Sequence, residues 1–246
     1  EEEVEEEVEE TTEDNVKCPA PNRVDMAGNP RTSYWKKRFP VNAQELVFPN
    51  TPPLCSFDIM KILISLNDPK NPDTNQLTNQ QVKKILLREY HSFYEKNKDS
   101  ILKIMSLQGK TAMSSQLRKN EITLDILINS NNYYLTNFDI WLLARRLNIP
   151  IILYSGTMKG IKENNNNLII LNSDGSNMYY WIKSPNQCAL EKMQEYRLLF
   201  DSPQQIKIPL TKFTLELQNY VNEIKANQIT FDDYLNNPPN KKLQRK

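Results

Sequence analysis

Apolar positions between Tyr133 and Lys183 change period three times, and each change predicts a new element. Ile140, Leu143, Ala144 and Leu147 recur at helical spacing, with Thr136 placed to cap the helix and Asp139 three residues later in a capping-box position. Pro150 cannot continue a helix. Ile151–Tyr154 follows as a short apolar run, the pattern of a buried strand. Leu168–Asn172 predicts a second strand, Ser173 to Ser176 a turn, and Met178–Ile182 a third strand returning as a hairpin.

The same periodicity predicts helices elsewhere. Ile59, Ile62, Leu63 and Leu66 share one face after Pro52-Pro53-Leu54-Cys55-Ser56-Phe57. Thr78 and Gln81 make a capping box, Leu77 and Val82 a hydrophobic staple, and Val82, Ile85, Leu86, Tyr90, Phe93 and Tyr94 a long apolar face. Further helical stretches are expected over 99–107, 117–129 and 211–226, the last with Phe213, Leu217, Tyr220, Val221 and Ile224 on its apolar side. Ile206 and Ile208 predict a short edge strand, and 187–200 has no clear form. The fold class expected is α+β, a small mixed sheet flanked by helices.

Composition changes this picture at the ends. Residues 1–14 hold nine Glu and one Asp with no Lys or Arg, a self-repelling run with nothing to bury. Of the 31 basic and 30 acidic residues, the remaining body keeps 31 and 20, a net +11 under an overall +1. A basic body suggests a polyanion such as nucleic acid, although the acidic run can equally serve to neutralise it. Tyr34, Trp35 and Phe39 lie among Lys36, Lys37 and Arg38, which suits base stacking or plain packing with the cations in water. The expected division is an acidic tail 1–14, an irregular extension 15–50, a domain 51–200 and a C-terminal extension 201–246.

No apolar run is long enough to cross a bilayer, and the chain opens on glutamates rather than a basic, apolar leader. Three widely spaced cysteines predict free thiols in a reducing compartment. Cys18, Cys55, Cys188 and the single His91 have no metal-ligand spacing. Five glycines form no phosphate-binding motif, so neither metal nor cofactor is expected.

Cys55 falls at a helix N-terminus, where the partial positive charge favours a thiolate. With Phe57 two residues on, and with the later order of helix, Ile-Pro-Ile-Ile-Leu-Tyr strand and aromatic strand end, it resembles the ovarian-tumour (OTU) family of cysteine proteases. The resemblance covers about residues 52–182 and implies a papain-type architecture. It also implies that Cys55, the family's nucleophile position, faces Tyr179, which stands where the family has its catalytic His. Tyr179 is no base, because a phenol stays protonated at neutral pH. Pro52-Pro53-Leu54 replaces the family's Asp-Gly-Asn, and Asn131-Asn132-Tyr133 its Trp-Gly-Gly. Arg88 matches an Arg usual on the next helix; His91, on that helix, is not at a base position.

The resemblance therefore implies a catalytically inactive OTU-like domain, a binding or scaffold module of a larger viral protein. The alternative is an active deubiquitinating protease with Cys55 as nucleophile and an unrecognised base. Asparagine-rich composition with this resemblance points to a large nucleocytoplasmic DNA virus, and to virion or host cytoplasm. The partner expected is a protein, with ubiquitin the family's candidate, nucleic acid a second candidate, and no membrane.

Overall fold

The computed structural model describes residues 16–25, 37–49, 52–68, 77–155, 168–171, 175–184, 195–202, 205–227 and 230–236. Among them are seven strands: β1 (Asn22–Asp25), β2 (Gln44–Phe48), β3 (Ile151–Ser155), β4 (Leu168–Leu171), β5 (Met178–Ser184), β6 (Tyr196–Phe200) and β7 (Ile208–Pro209). Seven α-helices accompany them: α1 (Asp58–Asn67), α2 (Asn79–Leu107), α3 (Thr111–Arg118), α4 (Leu124–Asn129), α5 (Asn137–Leu147), α6 (Leu215–Asn227) and α7 (Phe231–Asn236). The protein is α+β, a mixed sheet flanked by helices.

The strands run in the order β1-β2-β6-β5-β3-β4, with β7 on the start of β5. Only β3 and β5 are parallel, Ile151 opposite Tyr180. The Tyr180 N–H donates to the Pro150 carbonyl at 2.9 Å, fixing that register where α5 hands over to β3. The three strands expected over 151–182 are present, but β4 and β5 are not a hairpin. β3 lies between them and pairs with both. Of the turn read at 173–176, residues 173 and 174 lie outside the described residues, and Gly175 takes a left-handed φ of 80°.

Successive side chains of a strand point to opposite faces, and both faces are covered. Ile151, Leu153, Tyr180, Ile182, Tyr196 and Leu198 face the larger core, under α1, α2, α4 and α5. Ile152, Tyr154, Tyr179, Trp181 and Leu199 face a second core closed by α6 and Phe39. A strand buried on both faces reads as a continuous apolar run without alternation. Tyr196–Phe200, which had no clear form in the sequence because Arg197 interrupts its apolar run, pairs with both β2 and β5.

Two expected boundaries move. The segment 15–50, read as an irregular extension, supplies β1 and β2 to the sheet, and 201–246 supplies α6 to its second core. Phe39 is buried edge-on against Tyr154, Trp181 and Phe213, so its ring is not open to a base. Tyr34, Trp35 and Lys36 lie outside the described residues. The stretches 79–94 and 99–107 are one helix kinked at Asn97, whose side-chain amide donates to the Phe93 carbonyl at 3.1 Å. The helix read over 117–129 is two. Asn120 turns left-handed (φ 56°), and Thr123 caps α4 by accepting the Ile126 N–H at 3.3 Å.

Candidate functional site

Pro52 and Pro53 open a 3-10 turn over Pro53–Phe57 that leads directly into α1. Proline suits such a start, since its fixed φ is helical and the missing N–H would have been unpaired. The turn holds Cys55 with its N–H donating to the Pro52 carbonyl at 2.9 Å. Leu54, Cys55, Ser56 and Phe57 are all buried, and Ser56 Oγ accepts the Leu135 N–H at 2.7 Å. Cys55 thus sits where the sequence places it, at the head of a helix.

It is not a free thiol. Cys55 is bonded to Cys18, 37 residues earlier, with the Cα atoms 5.4 Å apart. A disulfide sulfur neither titrates nor attacks, so the helix N-terminus has no thiolate to stabilise. The expectation of free thiols is therefore corrected for this pair; Cys188 lies outside the described residues. The reason the sequence missed it is distance along the chain. Only the fold brings Pro21 and its neighbours against α1.

Tyr179 is fully buried, but in the second core, opposite Ile208 of β7 and with the Lys225 ammonium 5.8 Å from its ring centre. Leu54 and Phe57, on either side of Cys55, belong to the larger core across the sheet. The structure does not bring Cys55 and Tyr179 together. Tyr180, the next residue along β5, contributes to the larger core instead. Burial pushes the Tyr180 phenol up to about 12, further from any role as a base.

His91 is more than half exposed on α2, 3.1 Å from the Asp125 carboxylate. Arg88 is exposed beside it. Neither approaches the cysteine turn. No group of three His, Cys, Asp or Glu among the described residues could hold a metal. An open cleft of about 290 Å³ lies between α1 and the segment that Cys18 anchors, lined by Pro21, Asp58, Lys61, Ile62, Leu66 and Leu77. A Lys61–Asp58 ion pair spans one side of it.

The charged chemistry of the fold is elsewhere and is sealed. Lys110 and Asp139 are paired with no accessible surface on either side chain. Asp139 Oδ1 also accepts from Tyr90 and Tyr133 at 2.8 and 2.7 Å. Its Oδ2 accepts the Thr136 N–H at 2.8 Å, the returning half of the expected capping box. The Lys110 ammonium sits 3.8 Å from the Tyr133 ring centre. Burial lowers the Lys110 pKa, and Asp139 opposes that shift. Burial, then the Asp139 carboxylate, holds Tyr90 and Tyr133 well above the usual phenol range. Lys83 is likewise buried, its ammonium donating to the Asn129 and Ser130 carbonyls at 3.1 Å each at the end of α4. Sequence pattern marked Asp139 only as a cap and gave no sign of Lys83 or Lys110. A buried lysine on a helix reads as surface until its partners are known.

Comparison with known protein families, with curated proteins and with solved structures finds no match to this chain.

Proposed function

We propose that this chain works by binding and not by catalysis, as an inactive OTU-like module of a larger viral protein. One observation carries the reading. The candidate nucleophile Cys55 is tied up with Cys18 and fully buried, and the residue at the family's base position lies across the sheet. Thiol catalysis needs a thiolate and a base within hydrogen-bond reach. Reduction would return the thiol but would not move Tyr179 through the sheet.

The OTU-like and viral parts of the proposal rest on the sequence resemblance. The same holds for the choice of ubiquitin or another protein as partner. Of virion and host cytoplasm, the virion suits a lasting disulfide better, because cytosolic thiols are kept reduced. No helix among the described residues is long and apolar enough to cross a membrane. The net +11 of the body keeps nucleic acid as the second candidate partner, one whose binding would weaken steeply with salt.

The test uses di-ubiquitin of several linkages and a ubiquitin-based thiol electrophile, each with and without a dithiol reductant. The expected result is no cleavage and no labelling in either condition. Cleavage that disappears in Cys55→Ala would overturn the proposal and restore the protease alternative.

A further inference from the structure

The N-terminal arm, residues 16–25, is held to the body at two points. One is the Cys18–Cys55 bond, which ties it to the turn that starts α1. The other is β1, an edge strand that pairs only with β2 among the described strands. The arm buries little besides. Val16 packs against the larger core and is itself only partly buried. Asn22, Arg23 and Val24 are exposed and enter neither core. The Arg23 guanidinium lies 5.7 Å from the centre of the Phe200 ring, a weak contact for an exposed cation. A four-residue edge strand with so little burial belongs to the low-stability end of a fold, where segments open while the rest stays shut. The disulfide is what keeps this one closed.

The two half-cystines differ in access. Cys55 has no accessible surface, whereas Cys18 is partly exposed between the exposed Lys17 and Pro19. Exchange is governed by which sulfur an attacking thiolate can reach, and here that is Cys18. Attack breaks the S–S bond and forms a mixed disulfide on Cys18. Cys55 Sγ leaves with the bonding pair and takes up a proton. A second thiolate on the reductant then displaces Cys18 as a thiol. The pair gains two electrons, and the dithiol is oxidised to its own disulfide. The arm also shapes what lies beside it. Pro21, three residues after Cys18, lines the cleft along α1 together with Ile62, Leu66 and Leu77.

We propose that the Cys18–Cys55 bond is a redox latch on the N-terminal arm: a dithiol or a glutathione-type thiol opens it in the folded protein, β1 then leaves β2, and the cleft along α1 loses its Pro21 wall. Release makes β2 the edge of the sheet and bares Ile62, Leu66 and Leu77. An oxidising compartment keeps the arm docked, and a reducing one frees it. The helices and the central strands, which the arm does not support, stay in place.

The experiment uses the full chain carrying Cys188→Ser, so that only this pair can exchange. Hydrogen exchange is followed by mass spectrometry in peptides spanning 16–25 and 151–155, before and after a millimolar dithiol without denaturant. The dithiol should reduce the pair, and exchange over 22–25 should then quicken by about 10-fold or more while 151–155 is unchanged. Cys18→Ser should show the same acceleration without reductant. Oxidised glutathione should restore protection to the reduced chain but not to Cys18→Ser. A pair that resists the dithiol until urea unfolds the chain overturns the proposal, because the bond is then no latch. Reduction that leaves 16–25 as slow as before overturns it too, as does equal acceleration of 151–155, which would mean that the whole fold opens. Free thiols at 18 and 55 in chain purified in air would remove the latch itself.

Discussion

Lys110 and Asp139 form an ion pair from which water is wholly excluded, joining the α2–α3 corner to the first turn of α5. Removing two charges from water is expensive, and their attraction offsets this only when the remaining donors and acceptors are filled. Here Tyr90, Tyr133 and Thr136 fill the acceptors of Asp139, and the Lys110 ammonium lies over the Tyr133 ring. Lys110→Met leaves the carboxylate buried without its cation. It should cost about 3–5 kcal/mol, the range for breaking one side of a buried pair. Urea unfolding measures this directly, and a loss below about 1 kcal/mol would mean that the carboxylate takes up a proton or reaches water.

The buried phenols set an alkaline limit. Tyr90, Tyr133, Tyr154 and Tyr196 are all raised well above 10, by burial first and then by Asp139 or, for Tyr154, by Glu45. A raised folded-state pKa gives stability that is intact below the unfolded value and is lost as pH climbs above it. Each such tyrosine therefore removes about 1.4 kcal/mol per pH unit once the unfolded phenols ionise. Lys110 has the opposite sign. Its folded-state pKa is lowered, so stability rises with pH between that value and 10.5. One lysine does not balance four tyrosines. Urea midpoints should hold to about pH 10 and then collapse, and the phenolate absorbance of these four tyrosines should appear only on unfolding. Loss, near pH 10 in folded protein, of the share of phenol absorbance that Tyr90→Phe, Tyr133→Phe, Tyr154→Phe and Tyr196→Phe remove would contradict this.

Much of the fold is legible locally. The capping box at Thr78 and Gln81 forms as the spacing predicts, since its partners are three residues apart. Ile151, Leu168 and Met178 begin strands because short apolar runs have few other uses. Long-range relations are what the pattern hides. Nothing in Leu168–Leu171 says that β3 will lie between it and β5, because strand order depends on what each edge meets. Tyr179 and Tyr180 are neighbours with the same side chain, yet the pleat sends them into different cores. Lys110 follows Gly109 at a helix corner with no apolar periodicity, and only tertiary packing shows that its ammonium is buried.

The Cys18–Cys55 bond closes a loop of 37 residues and anchors the segment leading to β1. Chain-entropy reasoning gives such a loop about 3–4 kcal/mol. Cys18→Ser, or reduction of the native chain, should lower stability by that amount and leave the helices in place. Alkylation in urea without reductant, followed by peptide mapping, should find both cysteines protected. Two alkylated thiols in the native chain would refute the bond.

A final prediction concerns position 179. If Tyr179 truly marks the base position, restoring histidine there and freeing the thiol should recover some activity. The structure argues otherwise. A side chain at 179 faces Ile208 and the α6 layer, while the cysteine turn packs on the opposite core, and the β3–β5 register leaves no slack. A one-residue slip would turn every residue of β5 to the other face, exposing Trp181 and Ile182 to the wrong packing. Cys18→Ser combined with Tyr179→His should therefore fold less stably and stay inactive on di-ubiquitin. Placing the imidazole at Tyr180→His in the same background is the informative contrast, because that position faces the larger core which Leu54 and Phe57 share. Circular dichroism checks that both variants fold. Cleavage by the 179 variant alone would show that β5 adopts the other register in solution. Cleavage by the 180 variant alone would place the latent site one residue from where the sequence puts it.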